Sequence, residues 1–75
     1  MRISDYIESN PKIMLGKPVV KGTRLTVELL LTKMSDGFSY EDILAIYPNL
    51  KMEDIRACIA YAAGVIQSEE MIKVA

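Results

Sequence analysis

Two stop signals near the middle of the chain constrain its fold most, because they separate short helices from one another. Gly37 follows the helix-forming stretch "VELLLTKM", and Pro48 follows "EDILAIY". Glycine is favoured just past the end of a helix, and proline does not continue one. Helices this short are marginal alone and must pack on one another. With 75 residues, the chain has room for one such small domain.

The stretch before Gly37 predicts an amphipathic first helix. Apolar residues recur at the i, i+3, i+4, i+7 spacing that marks one helical face. Thr26 stands just before them and suits the N-cap position, where its oxygen accepts a backbone N–H. Leu29 lies off this face and is spare apolar surface. The predicted buried stripe consists of Val27, Leu30, Leu31 and Met34.

Two further helices are predicted on either side of "YPNLK". Ser39 and Asp42 have the spacing of a capping box, with Asp in place of the usual Glu. Leu50 and Ile55 are spaced as a hydrophobic staple for the third helix, although Lys51 is a poor N-cap. The stripe predicted to be buried on that helix is Ile55, Cys58, Ile59, Ala62 and Ile66. Two helices joined by a short turn predict a helix-turn-helix, a pattern that other small bundles also show.

The stretch "GKPVVKGTR" is open to three interpretations: a phosphate cradle, a nucleic-acid-binding wing or a tight β-hairpin. A P-loop requires GxxxxGK followed by Ser or Thr, which this spacing does not match. As a hairpin it would pair strands 19–21 and 24–26, joined at Lys21-Gly22. Gly22 suits a turn position with positive φ, and Pro18 suits a strand start.

The side-chain inventory excludes most catalytic and metal chemistry. The chain has no histidine and a single cysteine, Cys58, so an internal disulfide, the common zinc and iron sites and histidine bases are excluded. The clustered carboxylates lie at predicted helix N-termini, where negative charge is favoured, so they do not indicate a catalytic site. We therefore predict no enzyme activity, no cofactor and no small-molecule substrate. No apolar run reaches membrane-spanning length, and no signal-peptide core begins the chain, which predicts a cytoplasmic protein.

Charge is unevenly distributed and suggests a DNA-contacting set. Residues 1–33 carry six basic and three acidic side chains, whereas residues 34–75 carry three basic and seven acidic ones. A basic half can contact phosphate even when the whole chain is near neutral. The alternatives are an ordinary solvated surface or a protein contact. The DNA-contact candidates are Lys17, Lys21 and Arg24 in the basic half, together with Lys51 and Arg56 in the first turn or so of the candidate recognition helix.

The apolar content, 51% of residues, is slightly above the usual share for globular domains and suggests a partner surface, most simply a homodimer. On a helical wheel, the third helix presents small and apolar residues opposite Ile55 and Ile59, which favours close contact with another helix. An alanine-rich solvated face is the alternative. The predicted dimer or partner surface is Leu29, Ala57, Ala60, Tyr61 and Gly64.

Three segments, "GKPVVKGTRLTV", "DGFSYEDILAIYPNL" and "EDIRACIAYA", together resemble the bacterial and archaeal family catalogued as domain of unknown function 433. That family is grouped with VapB-type antitoxins. The resemblance implies a β-hairpin and a helix-turn-helix of winged-helix or homeodomain-like type. It also implies autorepression of an operon and neutralisation of a PIN-like ribonuclease toxin. Leu15 and Lys51 depart from the family pattern, which often has a second glycine and a Thr or Ser cap there.

The prediction is therefore a mainly helical single domain, 1–75, with a β-hairpin arm over 1–26, a three-helix bundle over 27–67 and a tail over 68–75. Its predicted function is that of an antitoxin that binds a PIN-like ribonuclease toxin and, as a further partner, its own promoter DNA. The alternative is a protein-interaction module that never binds DNA.

Overall fold

The computed structural model describes residues 1–68, so the predicted tail lies outside the described residues except for Ser68. Short 3-10 turns occupy Ile3–Asp5 and Met14–Gly16. The main elements are β1 (Ile7–Glu8), β2 (Val19–Val20), α1 (Val27–Ser35), α2 (Tyr40–Ile46) and α3 (Met52–Ser68). The predicted class, mainly helical with an antiparallel strand pair and three helices, is confirmed. Across residues 1–68, no helix has both the length and the apolarity needed to cross a membrane.

The strand pair differs from the predicted hairpin in its partner. β2 pairs with β1, with Ile7 opposite Val20, and β1 was not predicted as a strand. The predicted second strand, 24–26, is reduced to a single bridge between Val19 and Thr26. The N–H of Leu25 donates to Thr23 Oγ1 at 3.0 Å instead of to the neighbouring strand, and the side chain of Thr26 caps α1, so no regular ladder forms there. The turn between β2 and residues 24–26 is as predicted, because Gly22 has a φ of +81°.

Both ends of α1 are closed by the predicted signals. The hydroxyl of Thr26 accepts a hydrogen bond from the N–H of Leu29 at 3.0 Å, which confirms the N-cap. Gly37 has a φ of +101°, and the N–H of Phe38 donates to the carbonyl of Lys33 at 3.0 Å. This 6→1 bond belongs to the Schellman motif, in which glycine tolerates the left-handed position. Local signals therefore determine where α1 begins and ends.

The capping box is complete at the start of α2 and half-formed at the start of α3. At α2, the N–H of Asp42 donates to Ser39 Oγ at 3.0 Å, and the N–H of Ser39 donates to Asp42 Oδ2 at 2.8 Å, so the capping box is complete. At α3, the N–H of Lys51 donates to Asp54 Oδ2 at 2.9 Å. Lysine has no side-chain acceptor, so α3 starts with only half of the box.

The core is formed where α1, α2 and β1 meet the first half of α3. The helix stripe predicted for α1 is confirmed, since Val27 and Leu30 are buried and Leu31 and Met34 pack against the core. The staple pair Leu50 and Ile55 is also buried. The buried cluster comprises Ile7, Val20, Val27, Leu30, Ile43, Leu50, Ile55, Ala57 and Cys58.

Candidate functional site

An open apolar groove of about 400 Å³ runs between the first half of α1 and the last half of α3. Lys17 and Pro18, just before β2, also line it. Its other lining residues are Val27, Glu28, Leu31 and Thr32 on α1 and Tyr61, Ala62, Val65 and Ile66 on α3. Most of these side chains are apolar, so the groove suits aliphatic or aromatic groups rather than a charged small molecule.

The groove exists because the apolar stripe of α3 continues beyond the core. Ile55 and Cys58 are completely buried, but Val65 is 42% exposed and Ile66 is 70% exposed. Ile66 was predicted to be buried, and that prediction is wrong. The stripe is present in the sequence, but the elements within the described residues cover its last two turns only in part.

One ion pair lies at the rim of the groove. Lys17 Nζ lies 3.1 Å from Glu28 Oε1, and the two side chains are 53% and 71% exposed. Exposed pairs of this kind contribute little to stability, because water and salt screen them. Both charges therefore remain available to a partner that reaches the rim.

A strained loop with an exposed apolar side chain comes directly before Lys17. Met14, Leu15 and Gly16 have φ values of +49°, +59° and +84°, and Leu15 is 93% exposed. Side-chain-bearing residues rarely adopt this left-handed conformation. The sequence signal for this conformation came from the family pattern, because Leu15 stands where a second glycine is frequent.

The five predicted DNA-contact residues are all exposed but belong to separate parts of the fold. Lys17 is paired with Glu28. Lys21 and Arg24 flank the turn at Gly22, where the N–H of Gly22 donates to Glu8 Oε2 at 3.2 Å. Lys51 precedes α3, and Arg56 lies in its second turn, with the exposed acid Glu53 between them. The first turns of α3 therefore present mixed charge.

The predicted partner surface requires a correction. Ala57 is completely buried, and Tyr61 packs against the core and lines the groove, so neither faces outward as predicted. Ile59, predicted to be buried, is 39% exposed. The inward face of α3 is centred nearer Cys58 than the Ile55–Ile59 line, because Ala57 is small enough to be buried in the core.

The other three residues of the predicted partner surface remain accessible. Leu29 is 37% exposed, as expected for a residue off the α1 stripe. Ala60 and Gly64 are half-buried. Neither Leu29, Ala60 nor Gly64 lines the groove. The predicted surface and the groove are thus different faces that share only Tyr61.

Cys58 is buried in the core, as predicted, and carries no reactive chemistry. Burial raises the pKa of the Cys58 thiol to about 11, and the nearby negative charge of Asp54 adds to the shift. The thiolate is the nucleophilic form of cysteine. A neutral, buried thiol therefore acts as a small apolar core residue.

Residues 7–62 match the family described as "Protein of unknown function (DUF433)". The chain belongs to this family. The matched segment contains the strand pair, α1, α2 and the first half of α3, together with the strained loop at Leu15. It ends at Ala62, so Val65 and Ile66, the exposed end of the groove, lie beyond it.

A solved relative shares this fold. The crystal structure of a DUF433 member protein from Anabaena variabilis ATCC 29413 superposes with a TM-score of 0.80 at 25% sequence identity. The match covers 92% of this chain and 68% of that one. The arrangement of strand pair and three helices is therefore a DUF433 fold that persists at low sequence identity.

A curated relative places a similar segment within a longer protein. "Uncharacterized protein y4eO" of Sinorhizobium fredii (strain NBRC 101917 / NGR234) is 38% identical over 58 residues. These residues are 77% of this chain but 26% of the relative. The matched segment is therefore about a quarter of that longer protein.

Proposed function

We propose that this DUF433 protein is an antitoxin that binds the PIN-like ribonuclease toxin of a toxin–antitoxin pair through the groove between α1 and α3. The observation that supports a protein partner is the exposed apolar wall formed by Val65 and Ile66. The antitoxin role and the class of toxin come from the family resemblance of the "GKPVVKGTR" and "YPNL" motifs.

The chemistry of the groove favours a protein over a small molecule. Apolar surface gains about 25 cal/mol for each Å² removed from water. Exposed apolar surface bordered by charged residues is typical of sites where another protein binds. The groove has this form, since Ile66 is mostly exposed and the Lys17–Glu28 pair lies at its rim. An apolar side chain from the toxin would be held by burial, and a rim charge would orient it.

The test is co-expression with a PIN-like ribonuclease encoded beside this gene, followed by calorimetric titration of the purified proteins. We expect the chain to restore growth of cells that express the toxin. Ile66→Asp should weaken binding at least about tenfold, because a charge would be buried in the apolar groove. Ile66 is exposed in the free chain, so folding should be retained.

Ile46→Asp is the matched control, because Ile46 is 45% exposed at the end of α2 and lies outside the groove. It should bind the toxin within about twofold of the wild-type affinity, as most residues outside a binding hot spot do. Equal affinities for Ile66→Asp and wild type would rule out the groove. Failure of the wild-type chain to bind the ribonuclease or restore growth would rule out the antitoxin role.

Promoter binding is the second candidate function, with α2 and α3 as a helix-turn-helix of winged-helix or homeodomain-like type. The observation in its favour is that Lys51, just before α3, and Arg56, in its second turn, are exposed. In such motifs, the start of the second helix contacts base edges. Lys21 and Arg24 are exposed and suited to phosphate contact, which positions a protein without reading sequence.

Fluorescence anisotropy with the protein's own promoter at several salt concentrations tests this candidate. Replacing Lys17, Lys21 and Arg24 by Ala should reduce the salt-dependence slope by roughly 0.9 for each phosphate that the protein no longer neutralises. Arg56→Ala should instead relax sequence preference. If wild-type protein, alone and with its toxin, binds no promoter at low salt, the chain is a protein-interaction module without DNA binding.

A further inference from the structure

We propose that Met14 and Leu15 of a second copy of this chain fill the groove between α1 and α3, in a two-fold dimer where each chain supplies one loop and one groove. This inference deepens the proposed function, because the toxin would have to displace the second copy from the groove. It rests on the proposed function in that one respect. Self-association itself is measured without any toxin.

The loop carries two independent signs of a contact role. Leu15 is 93% exposed, the largest exposure among the large apolar side chains of the described residues. It also lies between two other residues of positive φ, Met14 and Gly16. Strained backbone is concentrated at binding and functional sites, where an interaction compensates for it. Nothing within residues 1–68 covers Leu15.

The position of the loop favours a two-fold dimer over an open chain of copies. Leu15 is only two residues from Lys17, so their Cα atoms are at most about 7–8 Å apart, and Lys17 lines the groove. The apolar loop therefore begins close to the Lys17 end of the apolar groove. A two-fold interface uses the same patch on both chains. A loop and a groove side by side form such a self-complementary patch.

The groove has a suitable size and lining for the loop. Its volume of about 400 Å³ is within the range of pockets that hold small ligands, so it has room for two aliphatic side chains. Leu31, Val65 and Ile66 offer the same aliphatic surface that Leu15 would bury. Loop and groove therefore match in both size and polarity.

The rim charges are also self-complementary. Each chain has one cation, Lys17, and one anion, Glu28, 3.1 Å apart at the groove. A two-fold axis between facing rims would bring Lys17 opposite the partner's Glu28 and Glu28 opposite the partner's Lys17. Opposite charges across an interface favour the correct register, and like charges oppose the wrong one. The surface thus fits a copy of itself in charge as well as in shape.

Sedimentation velocity over protein concentrations from about 1 µM to 1 mM tests the dimer, since this range covers the dissociation constants of weak to moderate interfaces. We expect wild type to dimerise within it. Leu15→Asp and Ile66→Asp should each weaken dimerisation at least tenfold, because each places a charge in the apolar contact. Both positions are exposed in the single chain, so circular dichroism should show an unchanged fold. Ile46→Asp, outside the groove, should dimerise like wild type.

Mixing the two variants tests whether the loop itself enters the groove. The Ile66→Asp chain keeps an intact loop, and the Leu15→Asp chain keeps an intact groove, so a mixed dimer restores one of the two contacts. The mixture should therefore associate more tightly than either variant alone. No gain on mixing would overturn the loop-in-groove contact, even if wild type dimerises.

Leu15→Gly separates assembly from stability. It removes the side chain but also the left-handed strain, so dimerisation should weaken at least tenfold while the Tm of dilute protein does not fall. A wild-type chain that stays monomeric throughout the concentration range would overturn the proposal. A loss of toxin binding would leave these results unaffected and bear only on the proposed function.

Discussion

The two halves of α3 have the same apolar pattern and different surroundings. In the first half, Ile55 and Cys58 are completely buried in the core. In the second half, Val65 and Ile66 continue the inward side of the helix but are 42% and 70% exposed. Apolar periodicity therefore indicates which residues require cover, and the rest of the fold determines whether this chain supplies it.

Helix length explains the difference. At 1.5 Å per residue, the 17 residues of α3 extend about 25 Å, while the 9 residues of α1 and the 7 of α2 extend about 13 and 10 Å. Neither α1 nor α2 is long enough to pack along the full length of α3. The core therefore reaches α3 around Ile55, and the groove opens farther along the helix.

Truncating one isoleucine in each half gives the largest expected contrast. Ile55→Ala should lower the free energy of unfolding by about 2–5 kcal/mol, because it removes a fully buried side chain and leaves a cavity. Ile66→Ala should change it by no more than about 0.5 kcal/mol, as is usual for exposed positions. Urea unfolding of dilute, monomeric protein measures both. Similar costs at the two positions would mean that the halves do not differ in cover.

The stability of the protein at high pH should reveal that the Cys58 thiol lies in the buried first half of α3. Because burial raises the pKa of Cys58 from 9.0 to about 11, the unfolded thiol loses its proton before the folded one does. The folded state then holds the extra proton, so stability is complete below pH 9 and falls as the pH rises towards 11. The expected loss is about 2–3 kcal/mol, at 1.36 kcal/mol for each pKa unit.

The matched variant moves the thiol into the groove. In Cys58→Ala/Ala62→Cys, the only thiol lines the uncovered half, so its contribution to the loss above pH 9 should be small. Other groups that titrate in this range are common to both proteins, and the difference between their pH profiles isolates the thiol. If the stability of the two proteins fell in parallel above pH 9, the first half of α3 would not be more buried than the second half.

Gly64→Ala sharpens the comparison with the smallest expected effect. A Cβ added at Gly64 would have no neighbour within 4 Å, and the backbone is helical there. Alanine is better than glycine inside a helix by about 0.5–1 kcal/mol, so thermal unfolding of dilute protein should show a gain of that size. A loss of stability would show that this part of α3 is packed more closely than the structure indicates.

Local signals in the sequence were sufficient for the ends of α1 and α2 and for the start of α3. Thr26, Ser39 and Gly37 act within one turn of their own positions, through hydrogen bonds or a left-handed dihedral angle, so they could be recognised without knowledge of the fold. The site could be predicted only in part. Tyr61 was assigned to a partner surface and does line the groove, but Val65 was not singled out and Ile66 was assigned to the core.

The sequence by itself determined where α1 and α2 begin and end, where α3 begins, the turn at Gly22, the buried face of α1 and membership of the DUF433 family, because these depend on neighbouring residues or on motif identity. Only the tertiary structure decided that β2 pairs with Ile7–Glu8, that Ala57 faces the core and that the end of α3 borders an open groove. Each of these depends on which distant segments meet, and burial is a property of the assembled elements rather than of any one stretch.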